Sequence, residues 1–83
     1  MEILNGLVKW KDRDDIPCTY GKMEDGTQYY FLKDLANGNH IVTTSLIEAV
    51  DPMAKAQNIG LIDKDGNIII PCVNRSIKVV EEV

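Results

Sequence analysis

Along most of this chain the apolar residues fall in short β-prone runs separated by turn-forming pairs, not at the three-and-four spacing of a helix. Asp25-Gly26, Asn37-Gly38 and Asp65-Gly66 punctuate the runs. Glycine tolerates the positive φ that tight hairpins need, and Asn and Asp tolerate it to a lesser degree, so these pairs are strong hairpin signals. TYGKM is expected to pair with TQYYFLK across Asp25-Gly26, and IGLID with NIIIP across Asp65-Gly66. NHIVTTS, rich in β-branched residues, supplies a further strand after Asn37-Gly38. SIKVVEEV closes the chain with alternating apolar positions. The pattern predicts a mainly β fold of successive antiparallel hairpins, with roughly six to eight short strands.

One stretch departs from this pattern. SLIEAVDPMAKAQN places Glu48 three residues after Ser45, a capping-box spacing, and follows Asp51 with Pro52, an N-cap before a proline at the first helical position. A proline does not sit inside a continuous helix. The stretch therefore predicts one short helical segment, of one or two turns, at about residues 46–57.

Two stretches share a frame. Residues 6–18 read GLVKWKDRDDIPC and residues 60–72 read GLIDKDGNIIIPC. Each opens on Gly-Leu and closes on Ile-Pro-Cys, as expected of a strand, a turn and a returning strand stopped by proline, which cannot donate to a ladder. The second copy has the good turn, Asp65-Gly66. The first has Asp12-Arg13 there and a poor returning strand, RDDI, so it reads either as a degraded repeat or as a coincidental match.

Composition narrows the class. The chain has 83 residues, 45% of them hydrophobic, which suits a single small domain spanning residues 1–83 with one thin core. The net charge is −4 with scattered acidic residues, a solubilising surface rather than a basic footprint for nucleic acid. No apolar run is long enough for a signal peptide or a membrane span. Two cysteines, Cys18 and Cys72, are too few for a disulfide framework and are not spaced as metal ligands. These features point to a cytoplasmic protein with reduced thiols, although an oxidising location would allow the two to pair.

The segment NIGLIDKDGNIIIPC, followed by VNRSIKVVEEV, resembles the WG-repeat family of bacterial β-repeat proteins. Gly60, Leu61, Ile62, Asp63, Asp65-Gly66 and Ile69-Ile70-Pro71 carry the likeness over about residues 59–83, with the degraded copy at 6–18. Asn58-Ile59-Gly60 replaces the Trp-Gly pair that names the family, and Asn74 replaces the usual tyrosine. The resemblance implies a binding or structural role without catalytic residues. It also implies that this chain is the N-terminal part of a longer repeat protein.

Residues 6–35 resemble, more weakly, the start of a cold-shock domain, an OB-type barrel that binds single-stranded nucleic acid. Gly6, Val8-Lys9-Trp10, Tyr20-Gly21, Glu24-Asp25-Gly26 and Tyr30-Phe31 fall in a similar order. That resemblance implies base stacking on aromatics of adjacent strands. Lys22 stands where a second aromatic is expected, and Asp12, Asp14 and Asp15 would repel phosphates. Nucleic acid is therefore not the expected partner.

Candidate chemistry is thin. DKDGN at 63–67 has its glycine fourth rather than sixth and Asn74 where a calcium loop needs Glu. His40, the single histidine, reads as a surface residue at a strand start. Cys18 and Cys72 read as small buried apolar residues. Glu24 and Asp25 sit on a turn, without the cleft that paired-carboxylate catalysis needs. No enzyme and no cofactor or metal site is expected. The candidate interaction surface is aromatic: Trp10, Tyr20, Tyr29, Tyr30 and Phe31. Consecutive residues 29–31 cannot all face one side of a strand, so at least one ring lies on the outer face. Self-association is expected through an unpaired edge at residues 76–83 or through that outward ring.

Overall fold

The computed structural model of this chain describes residues 1–51 and 53–78. Six strands and one helix follow in order: β1 (Glu2–Trp10), β2 (Arg13–Lys22), β3 (Gln28–Asp34), β4 (His40–Thr43), α1 (Leu46–Val50), β5 (Ile59–Ile62) and β6 (Ile68–Asn74). The strands form one sheet in chain order, every neighbouring pair antiparallel. The fold is mainly β and built from successive hairpins, as the turn signals require.

The three Asx-Gly loops share one construction. Gly26, Gly38 and Gly66 each donate their N–H to the carbonyl three residues earlier, on Met23, Leu35 and Asp63, at 3.0 Å. Their φ values are +91°, +91° and +90°. Among the described residues the one non-glycine at positive φ is Lys11, so Asp25, Asn37 and Asp65 keep ordinary backbone angles. Each loop is thus a type I turn followed by a left-handed glycine, a construction that joins antiparallel strands through a local bulge. Asp25 Oδ1 accepts from Thr27 N at 2.9 Å, and Asn37 Oδ1 from Asn39 N at 3.0 Å. In the third loop Asp63 does this work, accepting from Asp65 N and Asn67 N at 2.9 Å.

The hairpin expected to be degraded is the most extensively paired of all. β1 and β2 run in register from Glu2↔Lys22 to Val8↔Ile16 and close at Trp10↔Arg13. The turn is Lys11-Asp12, one residue earlier than expected, with Lys11 supplying the positive φ of 55° that a glycine would otherwise provide. β1 begins at Glu2, well before Gly6. Pro17 is tolerated in β2 because β3 pairs only with Tyr20–Lys22, leaving Pro17 where β2 has a single neighbour. The two repeated frames also differ in register. Gly6 pairs with Cys18 and Leu7 with Pro17, whereas Leu61 pairs with Ile70 because a bulge holds Pro71 out of the ladder.

The helical segment is shorter than expected. α1 is five residues, and Ser45 makes no side-chain cap bond to the helix N–H groups, its side chain interacting with that of Glu48. Glu48 also reaches forward, accepting from Gln57 N at 2.6 Å, Asn58 N at 3.0 Å and Asn58 Nδ2 at 2.6 Å. Asp51 organises a separate turn, accepting from Met53 N at 2.9 Å. Pro52 lies outside the described residues.

Tyr29 on β3, Val42 on β4 and Ile62 on β5 form the core on one face of the sheet, with Met1, Met23, Phe31 and Cys72 packed against them. Contributions from the start of the chain and from β6 to the same cluster require the sheet to curl. A Cβ on Gly66 would lie 3.1 Å from Met1 Cβ, so the curl brings the first residue to the β5–β6 turn. On the other face α1 lies over β2, β3 and β4. Ile16 and Thr43 are buried there, and Thr43 Oγ1 accepts from Ser45 N at 3.1 Å.

Three carboxylates tie loops in their charged form. Burial pushes Glu48 up, but the hydrogen bonds from Asn58 and Gln57 outweigh it and hold it below its ordinary 4.5. The Thr27 N–H holds Asp25, and the Asn67 N–H and side chain hold Asp63, below the ordinary 3.8. A folded-state value below the unfolded one contributes stability above the unfolded value, and that contribution is lost as pH falls through the folded value. The melting temperature is therefore expected to be level at neutral pH and to fall once pH drops below those ordinary values. Glu48→Gln should lower it at pH 7 and flatten the fall, as thermal melts across pH 3–7 would register.

Candidate interaction surface

The five aromatics predicted as a surface divide between the two faces. Strand alternation sets the division, because Tyr29 and Phe31 point one way and Tyr30 the other. Tyr29 is 7% exposed, a core residue rather than a contact residue. Phe31 packs against the same core, its ring stacked on His40 with centroids 4.6 Å apart and planes at 4°. His40 is consequently not the open surface residue expected from sequence. Its side chain is 14% exposed, and its Nδ1 lies 2.7 Å from Asp34 Oδ1 across the β3–β4 hairpin.

Tyr30 is the ring directed to the other face. It pairs with Tyr20 in the β2–β3 ladder, with centroids 6.1 Å apart and planes tilted by 49°. Its hydroxyl donates to Gln28 Oε1 at 3.1 Å. The Tyr20 ring lies over Gly6, its Cε1 3.5 Å from where a Cβ on that glycine would stand. Trp10, at the tip of the β1–β2 hairpin, is half-buried among Lys11, Arg13, Ile16, Val50 and Asp51. Its Nε1 is buried without a hydrogen-bond partner among the described residues. Lys11 Nζ stands 5.7 Å from the Trp10 ring centroid and 3.6 Å from Asp51 Oδ2.

Apart from Met53, 87% exposed between α1 and β5, the large apolar side chains most open to solvent are aliphatic and lie on two strands. Leu7 is 69% and Ile3 51% exposed on β1, and Val73 75%, Ile68 58% and Ile69 49% on β6. These two strands are the edges of the sheet. The sequence held a sign of this on β1, since EILNGLVKW carries Ile3 and Leu7 on one parity and Leu4 and Val8 on the other. A strand with apolar residues on both parities either lies between two layers or leaves one set exposed.

The edge expected at residues 76–83 is not found in the part that is described. Ser76, Ile77 and Lys78 carry no strand, and the remainder lies outside the described residues. Cys18 and Cys72 are free and partly buried, and burial raises both thiols. Such thiols are poorly ionised at neutral pH and correspondingly unreactive. Among the described residues no cluster of three or more His, Cys, Asp or Glu could hold a metal ion. No helix among them is long and apolar enough to cross a membrane. Searches against family models, curated proteins and solved structures returned no match to this chain.

Proposed function

We propose that this chain is a non-enzymatic protein-interaction or structural module of WG-repeat-like type, the N-terminal part of a longer protein built from hairpin units. The observation that supports it is the placement of the exposed aliphatic side chains on the two edge strands, where another strand can add main-chain and side-chain contacts together. Three loops of one construction, at Gly26, Gly38 and Gly66, are consistent with a fold assembled from successive similar units. Free, partly buried thiols fit a reducing, cytoplasmic setting.

A second reading draws on the Tyr20–Tyr30 pair, two aromatics on adjacent strands as in cold-shock-type binding of single-stranded nucleic acid. The acidic residues of the β1–β2 hairpin oppose it. Titration with single-stranded oligonucleotides, followed by Trp10 fluorescence, separates the two. No binding is expected at about 0.15 M salt. Micromolar binding that weakens with added salt and disappears in Tyr20→Ala and Tyr30→Ala would replace the module by the nucleic-acid reading.

A further inference from the structure

We infer that β1 is an interface for a second copy of this chain: two β1 strands pair antiparallel about Asn5, placing Ile3 of each copy against Leu7 of the other. This inference rests on the interaction-module reading and names its surface and partner.

Among the described residues β1 pairs with β2 alone, and no described strand takes up the other row of its main-chain groups. An open row of this kind is a template for another strand. Over Ile3–Val8 β1 carries no charge, bulge or proline, and its register there is regular. The opposite edge is blunted. Bulges interrupt β6 against β5, and Pro71 within them has no N–H to offer.

One face of β1 is self-complementary. Ile3, Asn5 and Leu7 share it, being paired with Gly21, Thr19 and Pro17 of β2, and it continues the core face of the sheet past Gly21 and Tyr29 to the open edge. A two-fold axis through Asn5 sets residue 3 against residue 7 twice, residue 4 against 6 and residue 2 against 8. This keeps each face of the sheet continuous across the join, as an isologous contact requires. It also brings together the two exposed aliphatic residues of β1, 51% and 69% open in the single chain. Asn5 spends its Oδ1 on the Thr19 hydroxyl at 2.8 Å and keeps its amide N–H groups for its counterpart. Charge disfavours the parallel alternative, which in register would set Glu2 on Glu2 and Lys9 on Lys9, whereas antiparallel pairing about Asn5 sets them against Val8 and Met1.

Sedimentation or light scattering of the untagged chain from about 1 to 200 μM tests this. A dimer is expected in that range. Leu7→Glu alone and Ile3→Lys alone should each weaken it at least about tenfold, by burying an unpaired charge against an aliphatic partner. The double variant Ile3→Lys/Leu7→Glu opposes a cation to an anion at both contacts. It should recover most of the association and make it salt-sensitive. Both positions are exposed, so circular dichroism of the single variants should match that of the parent. A monomer throughout the range, a dimer indifferent to Leu7→Glu, or a double variant no better than the singles would overturn the inference. Those outcomes leave the module reading standing, whereas oligonucleotide binding would remove that reading without touching β1.

Discussion

Gly60→Ala is expected to destabilise the fold by about 3 kcal/mol, near the upper end for adding a methyl to a packed site. Gly60 sits in β5 where β6 bulges over it. A Cβ there would lie 2.5 Å from Cys72 Sγ, 2.7 Å from the Ile70 carbonyl oxygen and 2.9 Å from Cys72 Cα. Two of these are backbone atoms and cannot rotate away, so β6 must shift or the β5–β6 ladder must open. Cys72 also packs on the Tyr29–Val42–Ile62 core, and a displaced β6 would loosen that cluster. A chain of this length has only about 4–12 kcal/mol of total stability, so a loss of this size is a large fraction of the margin. Urea unfolding gives the measurement. Gly21→Ala is the comparison, because the nearest atoms there are Met1 Sδ and Cγ at the end of a flexible side chain. An unaltered midpoint for Gly60→Ala would mean that β6 does not cross β5 this closely.

Gly66→Val is expected to cost about 3 kcal/mol as well, from two separable causes. Gly66 has a φ of +90°, which a β-branched residue adopts only at a cost on the order of 1–2 kcal/mol. The remainder is crowding, since a Cβ would meet Met23 Sδ at 2.9 Å and both Met23 Cε and Met1 Cβ at 3.1 Å. Gly26 provides the control. Its φ is +91°, and a Cβ there would have nothing within 4 Å. Gly26→Val should therefore show the backbone term alone, about 1–2 kcal/mol. Equal losses at the two glycines would argue that Met1 and Met23 do not pack on the β5–β6 turn, and hence that the sheet is less curled.

The sequence by itself determined the β class, the hairpins at Asp25-Gly26, Asn37-Gly38 and Asp65-Gly66, and a helical turn near residue 46. These are local matters: a positive φ, a run of β-branched residues and a missing proline N–H act on the chain wherever it is placed. The reading failed where a local rule had a substitute or a distant partner. Lys11 took a glycine's conformation, so a hairpin lacking its turn signal became the longest in the fold. Glu48 had the spacing to cap α1 but bonded ten residues ahead, because the chain entering β5 passes over it. Only the tertiary structure decided which aromatics are buried. Alternation separates Tyr29 from Tyr30, but the curl that brings Met1 and Cys72 over one face makes Tyr29 core. Strand order likewise made β1 and β6 the edges, exposing Ile3, Leu7 and Val73 although nothing local distinguishes them from the buried Ile62 and Val42. Burial is set by what lies across the sheet, and that neighbour is supplied by residues far along the chain.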